Sequence, residues 1–198
     1  MEYVGMEGKI KNKGGSWMFR KSWFVVLIVL AVAFAGIGVA AAETLTVAQG
    51  ADPVTLDPHG QNDQPSARVR VQIYETLVNH GPNLEVIPGL AKSWEQIDDV
   101  TWEFVLQDNV KFHNGDGFTA ADVKYSFDRI KALPSPAAFL IDSVKEVVVV
   151  DPYRVRIVLH EPFAPILAHL AHPSNAIVNR RSVEEAGDGY GSLVAVGT

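Results

Sequence analysis

Six histidines and several neighbouring carboxylates are the residues of this 198-residue chain whose chemistry reaches beyond packing. His169 and His172 stand three positions apart, which places two imidazoles on neighbouring turns of one helix. Imidazole suits zinc, copper and nickel, but two rings need further donors to make a site. Pro173 follows His172 directly, where a helix should end, so the pair reads as surface histidines. His113 precedes Asn114-Gly115 and reads as part of a hairpin, since no Ser or Cys nucleophile setting accompanies it. Gly187-Asp188-Gly189-Tyr190-Gly191 has the glycine content of a phosphate loop but follows a helix pattern and lacks a following Lys-Ser/Thr. It reads as a flexible loop. Asp98-Asp99 falls in a turn, where adjacent carboxylates serve solubility. Trp94 and Trp102 offer stacking surfaces, yet Trp102 lies on an alternating apolar face and belongs to the core. No catalytic residue, metal ligand or cofactor site is therefore predicted.

The absence of cysteine excludes disulfides, thiolate metal sites and lipid attachment through an N-terminal cysteine. Hydrophobic residues make up 47% of the chain, enough for a buried core. Part of that content is a block without charge at residues 23–42, preceded by Lys9, Lys11, Lys13, Arg20 and Lys21. The block ends in Ala40-Ala41-Ala42. A basic flank, an apolar core and small residues at the end define a secretory signal over residues 1–42, with Met18 as an alternative start. The block is also about as long as a spanning helix, roughly 20 residues, but no stop-transfer cluster follows. Residues 1–42 carry five basic and two acidic residues, so the remainder stands at −9 against −6 for the whole chain. That balance offers no basic patch for nucleic acid or anionic lipid.

The elements that position these residues are legible in part. Residues 43–48 alternate, with Leu45 and Val47 on one face, and predict a strand followed by a polar loop. Val69, Ile73 and Leu77 recur at spacing four and predict a helix with Ser66 as N-cap, ending near residues 79–82. Trp102, Phe104 and Leu106 alternate with Thr101, Glu103 and Val105 as a half-buried strand. Val110 and Phe112 predict a returning strand, turned at Asn114-Gly115. Thr119 and Asp122 form a capping box ahead of Val123, Phe127 and Ile130, which share one helical face. Residues 144–150 and Val155, Ile157 and Leu159 form a hairpin about Asp151-Pro152-Tyr153. Residues 164–171 predict a short apolar helix, residues 176–178 a brief strand, and Ser182 with Glu185 a further helix start. Hairpins and helices without a βαβ rhythm indicate a mixed α/β architecture.

Ordered motifs over nearly all of residues 43–198 resemble the family 5 solute-binding proteins of ABC importers, which serve peptide, glutathione, nickel and some sugar uptake. They include Leu45-Thr46-Val47-Ala48 with Leu56-Asp57-Pro58-His59, Tyr74-Glu75-Thr76-Leu77-Val78, and Val86-Ile87-Pro88-Gly89-Leu90-Ala91-Lys92-Ser93-Trp94-Glu95. The most specific run is Thr101-Trp102-Glu103-Phe104-Val105-Leu106 through Val110-Lys111-Phe112-His113-Asn114-Gly115 and Phe118-Thr119-Ala120-Ala121-Asp122-Val123. Pro162-Phe163-Ala164-Pro165 and Val196-Gly197-Thr198 complete it.

The resemblance implies the first lobe of a two-lobed periplasmic-binding-protein-like fold, with residues 43–198 as an incomplete N-terminal part of the solute-binding domain. Family members are well over twice this length, and Gly197-Thr198 normally continues into Gly-Pro-aromatic. In the family, solute binds between the lobes, a hinge closes, and the closed form docks on the permease. The implied role is therefore a non-enzymatic, periplasmic, monomeric binding component for a small peptide or glutathione-like solute, partnered by an ABC permease. The loop Gln49, Gly50, Ala51 and Asp52 would face the cleft and offer backbone hydrogen bonds. A single lobe leaves one side of the solute open, so millimolar or weaker binding is expected. A membrane-anchored sensor and a secreted hydrolase are the alternatives.

Overall fold

A computed structural model describes residues 44–198. The chain divides into Met1–Val47 and Ala48–Thr198. The secretory signal expected over residues 1–42 lies outside the described residues. Residues 44–48 are irregular rather than a strand. Leu45 and Val47 are exposed, and alternation alone forms no strand without a ladder to complete its hydrogen bonds.

Within Ala48–Thr198 a first short helix, α1 (Gln64–Arg70), leads to a small hairpin of β1 (Val78–His80) and β2 (Val86–Pro88). The strands β3 (Ala91–Asp98), β4 (Thr101–Leu106), β5 (Val144–Asp151) and β6 (Arg154–Leu159) then build the central antiparallel sheet. Their order in it is β3-β4-β6-β5. Register sets Phe104 opposite Val155 and Trp102 opposite Ile157. Phe104, Leu106, Val155, Ile157 and Leu159 are buried and Trp102 is half-buried. The period-two pattern therefore marked the correct face. Trp94 lies 6.5 Å from Phe104, centroid to centroid, so both tryptophans pack on the core.

The long helix α2 (Ala120–Ala132) starts at Thr119 with both arms of its capping box formed. Val123, Phe127 and Ile130 enter the main core, while Ser126 and Arg129 face another way. Ser126 Oγ accepts from Val178 N and donates to Asp122 O. Pro134 and the extended backbone at Leu133 end the helix. Val110 and Phe112 form no strand, only an isolated bridge between Lys111 and Gly117 around the 114–115 turn, where Gly115 has φ +89°.

Several local expectations are corrected. Helix α1 is shorter than its apolar spacing suggests, and its N-cap is Asp63, whose carboxylate accepts from Ser66 N. Ser66 sits buried inside the helix and accepts from Val54 N. Leu77 lies beyond α1, next to β1, so its spacing reflected burial rather than helical continuity. Strand β3 was not legible because only one of its residues is fully buried. Residues 176–178 are buried but form no strand. Ile177 N donates to Glu75 O and Val178 N to Ser126 Oγ, so single bonds replace a ladder. Helices α3 (Ile166–Leu170) and α4 (Arg180–Ala186) complete the element order. Asn179, three positions ahead of the expected start, caps α4 through Ser182 N.

Candidate functional site

The residues 49–52 loop leads into a second motif that proves to be the anchor of this whole end of the fold. Asp57 is gripped by Arg129 of α2 through two bonds, Nη1 to Oδ1 at 2.8 Å and Nη2 to Oδ2 at 2.6 Å. Such a fork is among the strongest charge-assisted geometries available to a protein. Arg129 Nη1 also donates to His59 Nδ1 at 2.8 Å. A guanidinium has only donors, so His59 Nδ1 accepts and its Nε2–H donates to Ala176 O, 2.9 Å away. Tyr190 covers the other side of the Arg129 guanidinium, its ring centroid 5.5 Å from Cζ.

Gly191 closes this arrangement from the C-terminal side. Its carbonyl accepts from Leu56 N at 2.8 Å, and its φ is +83°. A Cβ there would collide with the Asp57 backbone, so only glycine fits. The Gly187–Gly189 turn and Gly191, expected as a flexible loop, are a lock on the 55–57 segment.

Burial dominates the titration of His59 and, with the nearby Arg129 and Arg70 charges, pushes its pKa down to about 4. For Asp57, burial pushes upward, but the Arg129 hydrogen bonds and charge overcome it and hold the carboxyl below its ordinary range. Between about pH 6.5 and 4 the unfolded chain binds a proton on His59 that the folded chain does not. Stability is thus expected to fall as pH drops through that window, and Asp57 adds a loss only at lower pH. His59→Gln keeps one donor and one acceptor but removes the titration. Urea unfolding at pH 7 and 4.5 should show the wild type losing on the order of 2 kcal/mol more than the variant. Parallel losses would mean that His59 is not held neutral.

Three hollows lie around α1. One, of about 170 Å³, is lined by Gln49, Gly50, Ala51, Gln64, Pro65 and Arg68. The next, of about 320 Å³, shares Gln64 and Arg68 and reaches His172 and Pro173. The third, of about 170 Å³, shares Val71 and Pro173 and contains Arg70. Three of the four expected loop residues thus line a hollow, while Asp52 is exposed beside it.

The other chemistry-bearing residues have local jobs. His169 directs Nδ1 to Leu140 O at 3.0 Å and meets Phe163 edge-on. His172 Nδ1 caps Ser174 N at 3.1 Å, so the two rings serve different segments. His113 N donates to Gly197 O. Asp98 Oδ1 accepts from Val100 N, which lowers its pKa. Among the described residues no three His, Asp or Glu side chains are grouped to hold a metal. Of the residues that line these hollows, the sequence reading did not single out Gln64, Arg68 or Arg70.

The sheet, its helices and this anchored end define a periplasmic-binding-protein-like fold. The fold is similar to that of a Bacillus anthracis oligopeptide ABC transporter substrate-binding domain, with TM-score 0.71 at 24% identity over 76% of this chain and 33% of that one. Haemophilus influenzae OppA, solved with the peptide RPPGFSPFR, is similar with TM-score 0.68 and 28% identity over 72% of this chain and 32% of that chain. The glutathione-binding protein GsiB of Salmonella typhimurium is 33% identical over 165 residues, covering 82% of this chain and 32% of that protein. The family model described as bacterial extracellular solute-binding proteins, family 5 Middle, matches residues 85–198. The chain belongs to that family. It spans about a third of the length of the curated relatives it matches.

Proposed function

We propose that this chain forms part of the exported solute-binding component of an ABC importer, with residues 1–42 as its signal and residues 43–198 as a binding region. In this reading it performs no catalysis: it holds a peptide or glutathione-like solute for a membrane permease. The observation that carries the reading is the run of hollows along α1, one of them lined by the 49–51 loop with Gln64 and Arg68. Gln49, Gly50, Ala51 and Asp52 with Gln64 and Arg68 make one wall of the solute cleft. A wall fixed before the solute arrives loses little entropy on binding. GsiB supports glutathione as a candidate, and OppA supports peptides.

One wall leaves the solute half in water, so binding by this chain is expected at millimolar concentrations or weaker. Amide spectra of the labelled chain during titration with glutathione and with tri- and tetrapeptides provide the test. Saturable shifts should concentrate at Gln49, Gly50, Ala51, Gln64 and Arg68. Shifts confined to other surfaces would move the site elsewhere, and micromolar affinity would overturn the one-wall geometry.

A further inference from the structure

Strand β5 has a neighbour on one side only. The sheet order ends on it, and among the described residues no strand pairs with its outer side. It reads Val144-Lys145-Glu146-Val147-Val148-Val149-Val150-Asp151, valine-rich and without proline. An edge of that composition is a template for a further strand, and natural sheets blunt such edges with lysines, bulges and prolines. Here the blunting is confined to the ends. Lys131 Nζ donates to Val144 O at 2.6 Å and to Lys145 O at 2.8 Å. Register shifts fall between Val144 and Glu146 and between Val149 and Asp151. In the middle, Glu146, Val147, Val148 and Val149 pair with β6 without interruption.

The exposure of the valines shows what kind of partner fits. Val148 lies opposite Arg156 and shares its outer face, while Val149 lies opposite Val155, on the core face. Val147 on the core face is buried in the main core, yet Val148 and Val149 are 39% and 41% exposed. Neighbouring valines on opposite faces are thus open together, so the uncovered feature is the edge rather than either face. A helix laid on the sheet covers one face, whereas a strand added alongside flanks both.

Charge then selects the occupant. Two copies of β5 running antiparallel about a two-fold axis at Val148 set Val148 against itself, Val147 against Val149, Glu146 against Val150 and Lys145 against Asp151. Opposite charges meet at both ends and no like charges face each other, the arrangement that favours a cross-strand pair. An axis at Val147 sets Lys145 against Val149, and one at Val149 sets Asp151 against Val147. Only the Val148 axis joins the charges. We propose that β5 is a self-association edge of this chain, through which two copies join about Val148 into one continuous sheet. A single strand pair buries far less than a standard interface of about 1,600 Å², so the dimer is weak and fills as concentration rises.

The chain has no cysteine, so Val148→Cys introduces a single thiol. Residues facing each other across an antiparallel pair have Cα atoms about 4.5 to 5.5 Å apart, within the roughly 4.4 to 6.8 Å that a disulfide spans. Mild oxidation should link Val148→Cys into dimers and leave Ile97→Cys, comparably exposed on the opposite edge strand β3, unlinked. Sedimentation equilibrium of the unsubstituted chain should show its mass rising from monomer towards dimer with concentration. Val148→Lys sets two ammonium groups against each other at the axis and should weaken association at least tenfold. Lys145→Glu should weaken it too, and adding Asp151→Lys should restore it. These positions are exposed, so the urea midpoint of the diluted chain should barely move, which separates lost pairing from lost fold. A chain that is monomeric at every concentration would overturn the proposal and return it to the monomer that the family resemblance implies. Equal linking at 148 and 97, or dimers untouched by Val148→Lys, would place the association on another segment and equally overturn it. Peptide-induced protection of the 147–150 amides in a chain that stays monomeric would assign the edge to a peptide strand instead of a second copy.

Discussion

Replacing Phe104 by alanine is expected to cost about 3 to 5 kcal/mol of unfolding free energy, the range for a fully buried aromatic ring. Phe104 is 0% exposed, at the middle of β4, with β3 on one side and β6 on the other. Its ring is tilted against Trp94, and its cross-strand partner is Val155. Truncation would leave a hole walled by strands whose hydrogen bonds hold them in place, so little collapse can offset the lost contacts. Urea denaturation followed by tryptophan fluorescence measures the loss. A value under about 1 kcal/mol would mean that this face is not the core.

Arg129→Met should be comparably damaging, for an electrostatic reason. The Arg129 and Asp57 side chains are only 13% and 12% exposed. Removing the guanidinium leaves a carboxylate shut away from water without a counter-ion, and an imidazole nitrogen without its donor. Breaking one side of such a pair costs about 3 to 5 kcal/mol. Asp57→Asn combined with Arg129→Met removes the stranded charge, so the double variant should be more stable than Arg129→Met alone. Strict additivity of the two substitutions would show that the fork carries no coupling. The experiment also bears on function, because the fork ties the 55–59 segment to α2 and so fixes the loop that leads into it.

Which elements can be read from the sequence follows from how each is stabilised. Strands β4 and β6 were legible because each buries alternate residues on one face, and period two follows from strand geometry. Helix α2 was legible because its capping box and its 123, 127 and 130 face are contained within a dozen residues. The family motifs were legible because they are strings, and the match over residues 85–198 bears out those from Val86 onward. Strand β3 was not, because its residues are mostly exposed and it exists through its ladder to β4. The N-caps at Asp63 and Asn179 were displaced by three residues from the expected Ser66 and Ser182. Both serines do sit at the helix starts, but as donors of the capped N–H rather than as the caps.

The sequence by itself determined the mixed α/β class and the family, since residue periodicity and ordered motifs are visible without coordinates. Tertiary structure alone decided what Asp57, His59 and Arg70 do. Asp57 and Arg129 are 72 positions apart, and His59 and Ala176 are 117 apart. No local periodicity encodes a pairing over such distances. Whether an arginine is a solvated helix charge or a buried fork depends on which carbonyls the folded chain brings to it. For Arg70 the 57–61 loop supplies those carbonyls to Nη1, while Nε and Nη2 have no hydrogen-bond partner among the described residues, an asymmetry that arises only when the loop closes over the helix.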